Sequence, residues 1–167
     1  MYTRILYPTD GSQGATAALA HCRTLAKTYD AAVHVLYVAE QLGPFGLESD
    51  VEVEAARGSV ADPHGAGAGM VASRTKRDEI RAHLEEQGAT LVAKVAAQFE
   101  AVETHTAVQT GRPHQAILDY AANHDIDLIV MGTHGRTGLD RYLIGSVAEK
   151  VVRMSEVPVL TVHQADN

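Results

Sequence analysis

The chain of 167 residues is long enough for one compact domain, and its 46% hydrophobic and 21% charged residues are ordinary for a soluble globular protein. Fourteen Lys and Arg residues against 21 Asp and Glu give a net charge of −7, which argues against nucleic acid or an anionic membrane as a partner. No apolar run approaches the roughly 20 residues of a membrane span, no signal peptide precedes the first strand-like run, and the lone Cys22 excludes an internal disulfide, so we expect a cytoplasmic protein.

Hydrophobic periodicity predicts strands that alternate with helices along the chain. The predicted strands are, in chain order, Arg4–Pro8, Ala32–Val38, Glu103–Gln109, Asp127–Met131 and Val157–His163. Three predicted helices run from about Gln13 to Tyr29, from Arg74 to Glu100 and from His114 to Asn123. A fourth helix carries an apolar stripe of Ile144, Val147, Ala148, Val151 and Val152.

This alternation predicts an α/β fold, with a single domain over residues 1–167 built on an open, doubly wound, five-stranded parallel sheet. The unbroken apolar run in Asp127–Met131 is typical of an interior strand, whereas Glu103–Gln109 alternates polar and apolar residues as a half-exposed edge strand does. We therefore expect the strand order 3-2-1-4-5, with two helices on each face. Cys22 lies on the apolar stripe of the first helix, so we interpret it as a core residue.

A long irregular segment separates the second strand from the second helix. It spans Ala39 to about Ser73 and contains six glycines and two prolines, with a short helical turn predicted at Val51–Ala56. The Gly65–Gly69 run does not match a dinucleotide-binding motif and follows no strand, so we expect a flexible tip there. Loops of this length inside a small domain are usually functional or disordered.

The segment most informative about chemistry begins at the carboxyl end of the fourth strand. It reads Met-Gly-Thr-His-Gly-Arg-Thr-Gly from residue 131 and ends at a helix start, Gly145-Ser146. A helix amino terminus offers backbone N–H groups and a positive dipole to a phosphate. Glycines 132, 135 and 145 would let the backbone approach a polyphosphate, and Arg136 would add a forked cationic donor. The segment is not a Walker A motif, because no lysine stands at the helix start.

The sequence resembles the universal stress protein family. Gly132-x2-Gly135-x9-Gly145-Ser146 matches the nucleotide-binding signature G-2x-G-9x-G-(S/T) of the ATP-binding members. The opening Ile5–Ser12 run, Thr110–Pro113 and Val157–Leu160 are also typical of the family, so that only about Gln41–Ser73, a long insertion, is unmatched. The resemblance implies an adenine nucleotide alpha hydrolase-like fold.

The resemblance also implies where ATP would bind. The turn after the first strand would hold the adenosine, with the Asp10 carboxylate accepting hydrogen bonds from the ribose, and Val38 would lie against the adenine. A divalent ion, Mg²⁺ or Mn²⁺, would be held mainly by the phosphates and water. A homodimer would form through the last strand, Val157–His163. The residues implied at the nucleotide are Pro8, Thr9, Asp10 and Val38 on the adenosine side, and Met131, Gly132, His134, Gly135, Arg136, Gly145, Ser146 and Val147 on the phosphate side.

Structural interpretations of some of these residues stay open. Asp10 would suit the cap of the first helix, Ser146 and Glu149 have the spacing of a capping box, and His134 and Arg136 would suit an exposed turn. No set of catalytic residues can be identified, so we expect at most slow ATP hydrolysis by a regulatory or stress-response module. Two alternatives are a relative that has lost nucleotide binding and acts as an interaction module, and an adenylating or nucleotide-hydrolysing enzyme on the same fold. The nine histidines are scattered along the sequence, without the spacing of a protein metal site.

Overall fold

A computed structural model describes residues 1–40, 66–133 and 144–163, except for the side chains of residues 66–77. Within these ranges the chain forms five strands and four helices. The strands are β1 (Arg4–Pro8), β2 (Ala32–Glu40), β3 (Thr104–Gly111), β4 (Leu128–Gly132) and β5 (Val159–Val162). The helices are α1 (Gln13–Tyr29), α2 (Ala66–Ala96), α3 (Pro113–Asn123) and α4 (Ser146–Met154).

The strands form one parallel sheet in the order β3-β2-β1-β4-β5, which confirms the predicted order. β4 is buried over its first four residues, as its apolar run predicts for an interior strand. β3 is mostly half-exposed or exposed and lies at one edge, also as predicted. The direction of the crossovers reverses between β1 and β4, because the chain builds β2 and β3 on one side of β1 and β4 and β5 on the other.

Two helices cover each face of the sheet, as expected. α1 and α2 pack on one face over a core that includes Tyr7, Val35, Val92 and Val130. Cys22 belongs to this core and is fully buried, which confirms its structural interpretation. α3 and α4 cover the other face over Leu36, Ile129 and Val151, among others. No helix of the described residues is long and apolar enough to cross a membrane.

Two boundaries of the predicted elements need correction in particular. β2 continues to Glu40, because Ala39 and Glu40 still pair with Thr110 and Gly111 of β3. α2 begins at Ala66 rather than Arg74, so most of the Gly65–Gly69 run forms the first turn of this helix and not a flexible tip. In this run, alanines at positions 66, 68 and 72, which have the highest helix propensity, alternate with glycines that oppose the helix. The helical turn predicted at Val51–Ala56 lies outside the described residues.

The apolar side chains of α2 are buried unequally along the helix. Ile80 is exposed, Leu84 and Leu91 are half-buried, and Val92 and Val95 are buried. The helix approaches β2 closely only further along: a Cβ on Gly88 would lie 2.3 Å from the Tyr37 ring. Residues 78–83 of α2 are therefore exposed and receive little cover from the sheet.

Candidate functional site

The predicted site residues within the described ranges gather at the carboxyl end of the sheet. Pro8 ends β1, Val38 lies near the end of β2, Gly132 ends β4, and Gly145 precedes α4. Because all strands are parallel, these ends share one side of the sheet, and they flank the point between β1 and β4 where the crossovers reverse. In open α/β sheets, ligands bind at such switch points. His134, Gly135 and Arg136 lie outside the described residues.

The turn after β1 is fixed by local hydrogen bonds. The Thr9 amide donates to the Leu36 carbonyl of β2 at 2.8 Å, which holds the turn beside the end of β2. The Ser12 amide donates to Asp10 Oδ1 at 2.9 Å, and the Gly11 amide donates to Thr9 Oγ1 at 3.2 Å. The half-buried Asp10 carboxylate is therefore held in an Asx turn at the carboxyl end of the sheet.

The structure rejects the interpretation of Asp10 as the cap of α1. Ser12 is the N-cap, and its Oγ accepts from the Ala15 amide at 3.2 Å. Asp10 precedes the cap by two residues, and its Oδ1 accepts from the Ser12 amide. Asp10, which the sequence suggested as the cap, therefore lies before the cap residue Ser12.

The start of α4 is bonded directly to the end of β4. The Gly145 amide donates to the Thr133 carbonyl at 2.7 Å, and the Thr133 amide donates to the Val162 carbonyl of β5 at 3.0 Å. Gly145 is the N-cap in an extended conformation, and no side-chain hydrogen bond caps the helix within the described part of the chain. The amino terminus of α4 is therefore held beside β4, with its first amides in the position from which helices bind anions.

The predicted capping box at Ser146 is wrong. Ser146 is the first helical residue and not the cap, so its hydroxyl does not satisfy the first turn. Glu149 lies within 3.5 Å of Arg153 instead of reaching back to the helix start. This pairing reduces the repulsion that the Glu149 carboxylate would exert on an anion bound at the same helix end.

Gly132 has a packing role that the sequence interpretation did not include. A Cβ at this position would lie 2.4 Å from the carbonyl carbon and oxygen of Gly14 and 2.8 Å from the Ala15 nitrogen. The start of α1 therefore presses directly on the end of β4, and only glycine fits between them. Tyr7 reinforces this contact, because its buried hydroxyl donates to the Ala15 carbonyl at 2.6 Å.

Two of the predicted residues present little side chain to a ligand. Met131 is 6% exposed and packs in the core beneath α3 and α4, so a contact there would have to come from its backbone. Val38 is half-buried against the same core. Thr9 is itself only 7% exposed, so the polar groups that lie open at the switch point are those of Asp10 and the start of α4.

A group of histidines was missed by the sequence analysis. His34, His105 and His124 come together at the amino end of the sheet, opposite the switch point, although they are far apart in the sequence. Their proximity depends on the β2–β3 register, in which His34 pairs with His105, and on the end point of α3. No local sequence pattern indicates the β2–β3 register or the residue at which α3 ends. Among the described residues, no group of three His, Cys, Asp or Glu side chains is arranged to hold a metal ion.

Comparison with known proteins identifies the family. The profile described as "Universal stress protein family" matches residues 1–163. The chain is 35% identical over 167 residues to universal stress protein MJ0531 of Methanocaldococcus jannaschii, which covers 98% of this chain and 84% of that protein. The chain belongs to the universal stress protein family. The family resemblance of the sequence is thereby confirmed.

Solved structures of the family share the fold. The structure of MJ0577, also from Methanocaldococcus jannaschii, superimposes with a TM-score of 0.77 at 26% identity and covers 100% of this chain and 99% of its own. A universal stress protein family structure from Arabidopsis thaliana, solved with AMP bound, superimposes with a TM-score of 0.53 at 15% identity and covers 98% of this chain and 92% of its own. The expected adenine nucleotide alpha hydrolase-like fold is confirmed by these likenesses.

Proposed function

We propose that this universal stress protein binds ATP at the switch point between β1 and β4 and acts in the cytoplasm as a nucleotide-dependent regulatory or stress-response module. One observation carries the proposal: the polar turn Thr9–Asp10 and the amino terminus of α4 are both fixed at the carboxyl ends of adjacent parallel strands. This arrangement pairs a carboxylate suited to ribose hydroxyls with a helix end suited to phosphates.

The two halves of the proposed site are held by separate hydrogen bonds. Thr9 is fixed to β2 through Leu36, whereas Gly145 is fixed to β4 through Thr133. The adenosine would therefore lie over β1 and β2, near Pro8 and Val38, and the phosphates would lie over β4 toward Gly145, Ser146 and Val147. The AMP bound to the Arabidopsis thaliana relative supports an adenine nucleotide as the ligand class. His134, Gly135 and Arg136 are proposed phosphate contacts on the family signature alone.

A divalent cation, Mg²⁺ or Mn²⁺, is proposed to bind through the nucleotide. The described residues offer no group of three ligating side chains, which suits a cation that takes its oxygen ligands from phosphates and water. The proposal assigns no catalytic residue, because the Asp10 carboxylate is engaged in its own turn and the sequence offers no other base for an attacking water.

The proposed assembly is a homodimer in which Val159–Val162 meets its symmetry mate. Within the described part of the chain, β5 pairs only with β4, so its outer side presents unpaired backbone groups. The four residues of β5 are half-buried. An isologous pair of such edges would pair these backbone groups and bury the strand.

The ligand is tested by incubating the purified protein with ATP, desalting it and identifying the retained small molecules by mass spectrometry. Calorimetric titration with ATP, with and without Mg²⁺, then gives the affinity. Retention of ATP with a saturable heat of binding is expected. A protein that retains nothing and gives no binding heat would instead be an interaction module that has lost the nucleotide.

A further inference from the structure

The amino end of the sheet holds three imidazole rings in contact, which we call the histidine cluster: His34, His105 and His124. His34 of β2 and His105 of β3 are register partners, and their ring centroids are 4.7 Å apart. His124 follows the last residue of α3, and its ring centroid is 5.9 Å from that of His34. His34 is only 8% exposed, whereas the other two are exposed at the rim of an open cleft of about 480 Å³.

The His34 ring fastens the end of α3 to the sheet, and the His124 ring packs against the same turn of α3. His34 Nδ1 lies 3.0 Å from the hydroxyl of Tyr120, which is 5% exposed in the last two turns of α3. The His124 ring stacks on the Tyr120 ring at 3.8 Å and 10°, and its Nδ1 lies 2.9 Å from the Tyr120 carbonyl oxygen. Tyr120 is therefore held from both sides by imidazoles.

The charged groups around His34 come from every element packed against it. Arg4 of β1, His105 and Glu103 at the start of β3, and His124 after α3 all act electrostatically on the His34 ring. Asp30, which ends α1, and Asp125 also line the cleft. Two nearby carboxylates are paired: Glu103 with His105 Nε2 of the cluster at 3.1 Å, and Asp125 with Arg4 at 2.8 Å.

We propose that the histidine cluster is an acid-sensitive latch that holds the end of α3 on β2 while His34 is neutral and releases it as His34 becomes protonated. The His34 ring is buried between its neighbours and cannot accept charge without losing solvation. Protonation makes His34 Nδ1 a donor to the Tyr120 hydroxyl oxygen, because a charged imidazole donates from both nitrogens. The cost of charging this buried ring beside Arg4 therefore falls on the same turn of α3.

The electrostatics of His34 set the direction of the pH dependence. Burial, and then the neighbouring His105, His124 and Arg4, lower the pKa of His34 from 6.5 to about 4, and Glu103 opposes them. A histidine whose pKa is lowered by folding takes up its proton more readily when the contact opens. The latch is therefore fully closed above pH 6.5 and weakens as pH falls toward 4.

Helix α3 connects the histidine cluster at the amino end of the sheet with the carboxyl end of the sheet. α3 begins at Pro113, two residues after β3 ends at the carboxyl end of the sheet, and it ends at Asn123 beside the histidine cluster. The same helix covers Leu36 and lies in the core against which Val38 packs. A change at one end of α3 is thus connected through a packed helix to the other end of the sheet.

The test compares wild type with His34→Gln, because glutamine keeps a hydrogen-bonding group for Tyr120 and does not titrate. The matched control is His21→Gln, which changes an exposed histidine on α1. Urea unfolding between pH 4.5 and 7.5 should show the unfolding constant of wild type and the control rising by up to about tenfold per pH unit of acidification. His34→Gln should show a clearly flatter profile. The same slope in all three proteins would overturn the proposal.

Two measurements on wild type keep the test decisive if His34→Gln does not fold. An NMR titration of the histidine rings should give His34 a midpoint far below 6.5, and an ordinary midpoint would contradict the proposal. Hydrogen exchange, corrected for intrinsic rates, should show the last turn of α3 losing protection at pH 4.5 before α1 does. Simultaneous loss in both helices would reject a local latch.

Discussion

Gly132 at the end of β4 lies against the backbone of Gly14 at the start of α1, so closely that a Cβ would come within 2.4 Å of the Gly14 carbonyl. The contact ties the first helix to the interior strand that leads into the proposed phosphate site. It also changes how the family signature should be interpreted, because the first glycine of that signature is required by the fold whether or not a nucleotide is present.

Gly132→Ala should therefore destabilise the protein by about 2 kcal/mol or more, because the added methyl group collides with backbone that has no flexible end to move. Gly111→Ala is the control: its Cβ would meet nothing within 4 Å, and only its φ of 152° is unfavourable. Gly111→Ala should therefore lower the free energy of unfolding by only about 1 kcal/mol. Urea unfolding gives the free energy of unfolding of each variant. Equal losses of stability in the two variants would show that the collision at Gly132 is relieved by relaxation of the backbone.

Ser146→Ala separates ligand binding from helix capping. Since the Ser146 hydroxyl does not cap α4, the free energy of unfolding should change by less than about 0.5 kcal/mol, while ATP affinity should fall severalfold. Ser12→Ala removes the cap of α1 and should cost about 1 kcal/mol without the same effect on affinity. A loss of stability at Ser146 equal to that at Ser12 would restore the capping interpretation.

Cys22 should resist thiol reagents in the folded protein. It is fully buried, and burial raises the pKa of its thiol to about 12, so the reactive thiolate is scarce at pH 8. Alkylation at pH 8 should be slow in buffer and rapid in urea, with the rate following global unfolding. Fast stoichiometric labelling in buffer would mean that α1 opens locally away from the sheet.

Replacing Leu160 and Val162 by lysine tests the proposed dimer. Two charges per protomer at the outer strand should split an isologous β5 interface into monomers, because like charges would face each other across the two-fold axis. Light scattering on wild type and the double variant measures the mass. The control is Ile80→Lys, an equally apolar but distant position on α2 that is 39% exposed. A wild-type monomer, or a dimer that survives the double change, would contradict this interface.

The sequence predicted the order of the sheet because two of its strands carry distinct patterns. The apolar run of β4 indicates a strand buried on both faces, and the polar–apolar alternation of β3 indicates a strand at the edge of the sheet. Few orders of five parallel strands satisfy both conditions. The start of α2 was not predicted, because the glycines at 65, 67 and 69 obscure the helix-forming alanines between them. Local propensity cannot decide such a mixed run.

For the proposed site, the sequence indicated only which strand ends are involved. The rule that ligands bind at the switch point of an open sheet indicated Gly145, whereas Asp10 was suggested by the family resemblance. The contact of Gly132 with Gly14 depends on tertiary packing, and the meeting of His34 with His105 depends on strand register. These distances are set between elements far apart in the chain, where a sequence pattern carries no information.

The most direct test of ATP binding at the switch point is a calorimetric titration of Asp10→Asn beside wild type. Asparagine keeps the Oδ1 acceptor that holds the Ser12 amide, so the turn should remain folded while the carboxylate proposed to bind the ribose is lost. The matched control is Asp119→Asn, which changes an exposed carboxylate on α3. We predict that Asp10→Asn weakens ATP binding at least tenfold, or about 1.4 kcal/mol, while the control binds as wild type does. Equal ATP affinity in all three proteins would contradict the proposed site.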